Sequence, residues 1–451
     1  MRKYLSLLLL FNFSIFAQNN RTEYHVEGYV YLEDNENHEG VQISFYDLLP
    51  GTPVLFDSTF SDSSGYYEID LESGYYLVEW SKDGYVPWDL GGFAHGGEDV
   101  ILDDVVLLPG EVITVSGEEY GNWSTSYQYW IDGEVIVPEG ETLIIDAGVQ
   151  VKFLSGAGMV CHGTLEANGT EDNHVLFTSK QPSPLPGDWD NIELYGENNV
   201  LRYVDYEWAT EGLQGTDAHQ TLVDNLIIAN SLSVQANGIY FTDSNNLTLI
   251  NNHIYASGEY GIYANNASNS IVHGNTISGT FAQAAIQMEG CNECIFENNL
   301  IQNLPQIGIS VDYSSNVSII TNTIYADKRG IDCKEGSNHN ISSNIVHNFV
   351  DFGINFSGSE NCFIEGNNLI SSEAYPNQGS NTTSKYGIYG DINAAIDNNT
   401  LIMTTEDIWI VGPHYLVGIS AFNSQITNNS VTMNNGMNHN FSFFLHLPLH
   451  L

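Results

Sequence analysis

The stretch Gly308-Ile-Ser-Val-Asp-Tyr-Ser-Ser-Asn-Val-Ser-Ile-Ile-Thr-Asn322-Thr-Ile324 decides the fold, because the next stretch repeats its skeleton. Gly330-Ile331 is again followed, 14 residues after the glycine, by Asn344-Ile-Val346. Working outward, the Asn-x-aliphatic step recurs at Asn225, Asn252, Asn275, Asn299, Asn322, Asn344, Asn368, Asn399 and Asn429. The Gly-Ile step recurs at Gly238, Gly261, Gly308, Gly330, Gly353, Gly387 and Gly418, with Ala285 substituting once. From glycine to asparagine the interval stays at 14 residues as far as Asn344, then reads 15, 12 and 11.

A period of about 22 to 24 residues built from short β-branched runs is that of stacked coils, each needing neighbours to bury its apolar face. Asn suits a tight corner, since it tolerates left-handed backbone, and stacked Asn side chains can hydrogen-bond from coil to coil. The aliphatic residue two places after each Asn is expected to point inward. So are Ile239, Ile262, Ile286, Ile309, Ile331, Ile354 and Ile388. Leucine-rich repeats share the period, but their fixed leucines and helical half-repeats are missing. The expected class is therefore all-β, a right-handed parallel β-helix solenoid.

These repeats resemble the right-handed β-helix repeats of the pectin-lyase-like superfamily, and more narrowly the domain shared by carbohydrate-binding proteins and sugar hydrolases. The resemblance covers residues 225–431 and implies a fold rather than one chemistry, since the superfamily includes lyases, hydrolases, epimerases and adhesins.

Ahead of the repeats, Arg2 and Lys3, the apolar run Tyr4–Phe16 and a cleavage point at Ala17 read as a signal peptide over residues 1–17, hence an exported protein, extracellular, on the cell surface or periplasmic. No stretch is long and apolar enough to be expected to span a membrane. Residues 22–108 carry period-2 runs punctuated by turn residues, such as Gly40-Val-Gln-Ile-Ser-Phe45, Asp62-Ser-Ser-Gly65-Tyr-Tyr67 and Gly74-Tyr-Tyr76, the pattern of a small antiparallel β-sandwich. They resemble the carboxypeptidase-regulatory-like, transthyretin-like domain, which is grouped with carbohydrate-binding-like sandwiches. From residue 109 one solenoid is expected to run to 451. Its leading coils, 109–224, include Val137-Pro-Glu-Gly-Glu-Thr-Leu-Ile-Ile-Asp-Ala-Gly-Val-Gln-Val-Lys-Phe153, its regular repeats 225–431, and two loop insertions fall near 371–386 and 403–417.

The chain carries 11 Lys+Arg against 56 Asp+Glu, a formal net charge of −45, which argues against nucleic acid as a partner because phosphate binding needs clustered cations. Such charge keeps a repetitive β-protein soluble. Calcium held by surface carboxylates is the one ion it invites, but no EF-hand or Gly-rich nonapeptide run is present and no metal ligands are assigned. The five cysteines form no framework. Cys294 and Cys362 open equivalent strands three coils apart, about 14 Å, too far to pair, and Cys291-Asn-Glu-Cys294 is expected in a corner as thiols or a local bridge.

Alternation along each Gly-Ile strand sends the next residue outward. Glu289, Asp312 and Lys334 then stand in one column about 4.8 Å apart, with Asp332 beside Lys334. Asp327, Lys328 and Arg329 lie at the preceding corner. Tyr240, Tyr263 and Tyr389 share that face, and the insertions bring Tyr386, Trp409 and Tyr415 toward it. The aromatic residues are the expected substrate-binding set. A secreted or surface β-helix binding a polysaccharide or cell-surface glycan without catalysis is the reading favoured. The alternative is a polysaccharide lyase, glycoside hydrolase or epimerase working through Lys334, Asp312, Asp332 and Glu289. An ordinary cross-strand ion pair between Lys334 and Asp312 explains the same charges without any chemistry. Oligomeric state is not legible.

Overall fold

The computed structural model describes residues 23–33, 35–48, 53–181, 184–229, 237–303, 306–371, 384–405 and 415–435. They form strands and turns with no helix among them, in two compact units, Met1–Leu108 and Pro109–Leu451. The signal segment and Trp409 lie outside the described residues, as does most of both insertions.

In the first unit two four-stranded sheets enclose a core of Val26, Val30, Ile43, Phe45, Tyr67, Val78 and Trp80. One is antiparallel throughout, Val54–Phe60 beside Gln42–Asp47, Gly74–Ser81 and Trp88–His95. The other corrects the antiparallel expectation: Glu23–Leu32 runs antiparallel to Tyr66–Glu72 but parallel to the short strands Val100–Ile101 and Val105–Leu107. The turn into Tyr66 is tied by Asp62, whose Oδ1 accepts from the Ser64 and Tyr66 N–H groups and from the Ser64 hydroxyl. Gly65 sits there at φ 88°, where a Cβ would lie 2.3 Å from the Val30 carbonyl oxygen. Lys82-Asp-Gly84 makes a turn rather than a further strand.

The second unit is one continuous sheet of 34 strands wound into coils, each strand paired in parallel with its counterpart one coil on. The run Ile239↔Ile262↔Ile286↔Ile309↔Ile331↔Ile354↔Ile388 is in register and every side chain in it is fully buried. Each Gly-Ile glycine lies against the backbone of the next coil. A Cβ on Gly330 would sit 2.6 Å from the Gly353 carbonyl oxygen and 2.2 Å from Val346 Cγ1. In the leading coils aromatic rings fill the core, with Trp189 stacked on Phe153 at 3.9 Å. Cys291 and Cys294 form a local disulfide at a corner, while Cys161, Cys333 and Cys362 are buried thiols.

The asparagine ladder forms, with two corrections. Asn252, Asn275, Asn299, Asn322, Asn344, Asn367, Asn399 and Asn429 are its members; each of the first seven donates through Nδ2 and its backbone N–H to the Oδ1 of the next. Asn367 rather than Asn368 holds the seventh rung, and Asn225 stands outside, its place in the register taken by Leu226, whose N–H donates to Asn252 Oδ1. The left-handed corner residue is the one before each ladder asparagine, as at Asn251, Asn298, Thr321, Ser343, Asn398 and Asn428, with φ between 52° and 58°.

Candidate functional site

Ladder pairing fixes three outward columns on the Gly-Ile face. One carries Tyr240, Tyr263, Gln287, Ser310, Asp332, Asn355 and Tyr389. A second, two residues further along each strand, carries Thr242, Asn265, Glu289, Asp312 and Lys334. The third holds the residue before each Gly-Ile glycine, including Tyr260, Ile307, Arg329, Phe352 and Tyr386. Strict alternation does not foresee this column. Gly330 and Ile331 are both buried, so the strand bends there and brings Arg329 and Asp332 to the same side, 2.7 Å apart.

Asp332 is the hub. Its side chain is fully buried, correcting the expectation that an outward position is an exposed one, and its carboxylate takes Arg329, Lys334 at 3.1 Å and the Asn355 amide. A buried carboxylate is tolerable only when paired and hydrogen-bonded in this way. The ion pair expected between Lys334 and Asp312 is the looser one, at 3.9 Å, because Lys334 leans to the carboxylate of its own strand.

Asp312 Oδ1 is buried with no hydrogen-bond partner. Burial pushes the Asp312 carboxyl up to about 6, against the pull of Lys334 and with the help of Asp332. The group therefore exchanges a proton near neutral pH. Glu289, one coil away, accepts from the Gln287 amide at 2.6 Å and lies 3.4 Å from the Tyr263 hydroxyl.

Aromatic rings flank this centre along the coil axis. On one side Tyr240 stacks on Tyr263 at 4.7 Å, and Tyr260 packs against Tyr263 at 4.8 Å. On the other, Phe352 stacks on Tyr386 at 5.3 Å, Tyr389 meets both rings, and the Arg329 guanidinium lies over Phe352. The structure thus brings together all four charged residues and the tyrosines 240, 263, 386 and 389. Tyr415 lies in a strand paired with Ser384–Ile392. Sequence reasoning missed Tyr260, Phe352 and Asn355 as members of the site and left Arg329 at a corner. The available signal was position, each of the first two and Arg329 immediately preceding a Gly-Ile glycine. Among the described residues no group of three or more His, Cys, Asp or Glu is arranged to hold a metal ion. No helix among them is long and apolar enough to cross a membrane.

No curated protein sequence matches the chain. Among solved structures it is similar to a variant of the periplasmic alginate epimerase AlgG, with 13% identity, 67% of this chain and 77% of that chain covered and a TM-score of 0.48. The mannuronan C-5 epimerase A-module of Azotobacter vinelandii gives 15% identity, 75% and 90% coverage and a TM-score of 0.34. The Dettilon tailspike protein gives 15% identity, 73% and 62% coverage and a TM-score of 0.32. At that level of overlap none of the three carries an argument about function. The family comparisons are firmer: a pectate-lyase like beta helix domain matches residues 118–217, and the right handed beta helix region matches 190–324 and 284–443. These last two matches together span more than half of the chain, which therefore belongs to the right-handed β-helix family.

Proposed function

We propose that this is an exported β-helix protein that binds a polysaccharide or cell-surface glycan along its Gly-Ile face. The observation that carries the reading is the pair of aromatic clusters in register on either side of the charged centre. Aromatic faces match the C–H faces of pyranose rings, and a few placed polar groups then orient the hydroxyls. From Tyr263 to Tyr389 is five coil steps, about 24 Å, on a scaffold whose register is fixed.

A second reading, catalysis, has one observation in its favour. Asp312 has an unpartnered buried oxygen and a carboxyl poised near pH 6, which suits a general acid, with Glu289 one coil away, about 4.8 Å, as the second carboxylate. Asp312 would give its proton to the leaving glycosidic oxygen, while Lys334 and Arg329 hold the centre electrically balanced around Asp332.

One experiment addresses both. Neutral and uronic polysaccharides are titrated onto the parent and onto Tyr263→Ala and Tyr389→Ala, while released reducing ends and unsaturated products are followed in the parent and Asp312→Asn. Binding should weaken about tenfold in each tyrosine variant, as aromatic contacts of this size are worth. Unchanged affinity in both variants would remove the face. Turnover by the parent that Asp312→Asn abolishes would replace binding alone with catalysis.

A further inference from the structure

The face does not stop where the regular repeats begin. Leu194 pairs with Cys161 behind it and with Gly215 ahead, and Gly215 pairs with Phe241, which pairs with Ala264. The residue after each of these stands on the outer side, so the column Thr242, Asn265, Glu289, Asp312, Lys334 extends backwards through Thr216 and Tyr195 to His162. Tyr195 is 41% exposed, enough to leave its ring open to solvent. The His162 and Tyr195 rings lie 5.3 Å apart and 30° from parallel, a third aromatic platform on the same track.

Beside it opens a cavity of about 430 Å³, lined at the corners of successive coils by Glu139, His162, Tyr195, Glu197, Asp217 and His219. The cavity exists because the coil corners are bare. Gly163 and Gly196 stand there, and a Cβ on Gly196 would fall 1.9 Å from the Gly163 carbonyl oxygen. Two orientations are set. The Tyr195 hydroxyl donates to Glu193, and His219 Nδ1 accepts the Asn245 N–H at 2.9 Å, which leaves the proton of the neutral ring on Nε2. No Lys or Arg is among the described residues lining the cavity.

We infer that this cavity is a further carbohydrate subsite of the leading coils, built for a neutral sugar ring of a chain that continues along the Gly-Ile face. The inference rests on the glycan-binding reading of that face and deepens it. Tyr195 lies three coil steps, about 14 Å, from Tyr263, so one linear chain lying along the coil axis reaches both. Carboxylates accept hydrogen bonds from sugar hydroxyls and repel a uronate that no cation neutralises. The ligand is thus a long, neutral, linear polysaccharide, and the protein should tell long chains from short ones.

The test uses the full chain and a panel of linear β-1,4- and β-1,3-glucans, mannans and xylans. Each is supplied as a short fraction of about five rings, one per coil spacing, and as a polymer, with oligogalacturonate and alginate as the anionic arm. Affinities are measured for the parent, Tyr195→Ala, Tyr195→Phe and Tyr263→Ala. Expected are a loss of about tenfold in Tyr195→Ala on the neutral polymer, no change on the short fraction, parental behaviour in Tyr195→Phe, and a loss at both lengths in Tyr263→Ala. If Tyr195→Ala matches the parent on every polymer while Tyr263→Ala is weakened, the subsite falls and the face stands. A parent that binds none of the panel removes the face, and the subsite with it. Tighter binding of the anionic polymers than of the neutral ones overturns the neutral assignment.

Discussion

Asp312 and His339 are buried ionisable side chains that pull stability in opposite directions as pH changes. Burial raises the Asp312 carboxyl from 3.8 to about 6, so between those values the folded state binds the extra proton, and stability falls as pH rises through about 6. Burial lowers His339 from 6.5 to about 4, and neither ring nitrogen has a partner. The folded state there binds fewer protons, and stability is lost as pH falls from about 6.5 toward 4. In the parent the two partly cancel, and single variants should separate them. Melting temperature against pH should show Asp312→Asn gaining on the parent above pH 6. His339→Val, which copies Val317 at the equivalent position one coil earlier, should gain increasingly as pH drops. Parallel curves for parent and variants would refute both assignments. The sequence identified Asp312 by its column. His339 could not be found that way, because a histidine in a run of corner residues looks solvent-facing until the coil closes over it.

At the scale of the element, the asparagine ladder makes a register-specific prediction. Removing the Asn299 side chain leaves the Asn275 backbone N–H, the Asn275 amide and the Val272 carbonyl without their partner. Each buried orphan costs about 1–3 kcal/mol, so Asn299→Ala should lower stability by about 3 kcal/mol or more in denaturant titrations. Asn368→Ala should stay within about 0.5 kcal/mol, because Asn368 stands outside the ladder and its Oδ1 has no partner to lose. The reverse ordering would mean that the register is wrong by one. The ladder was legible from the interval, and the interval also held the correction. Fourteen residues after Gly353 comes Asn367, and fourteen after Gly212 comes Leu226, the position the ladder passes over. Matching the Asn-x-aliphatic pattern alone chose the neighbouring Asn368 and Asn225. The left-handed residue was misplaced for a related reason: Asn has that propensity, but here the ladder holds its amide while Thr321 and Ser343 occupy the strained positions.

For the whole molecule, a solenoid in which each coil contacts only its neighbours spreads its stability along one dimension. Ile309→Asp, which puts a lone charge into the inward stack, should cost several kcal/mol and open the coils around it first, as hydrogen exchange would resolve. Melting unchanged from the parent would mean that Ile309 does not face the core. Architecture was readable because it repeats. The functional face was readable only in part, since one glycine per coil breaks the strand's alternation and turns a third column outward that no two-residue period foresees. The same repetition has an electrical consequence. Every ladder amide points its N–H end toward the next coil, from Asn252 to Asn429, so the side-chain dipoles add head to tail as peptide dipoles do in a helix. A chain of net charge −45 thus carries an internal axis whose positive pole lies at its C-terminal coils, giving the solenoid a direction that its parallel strands, seen from outside, do not show.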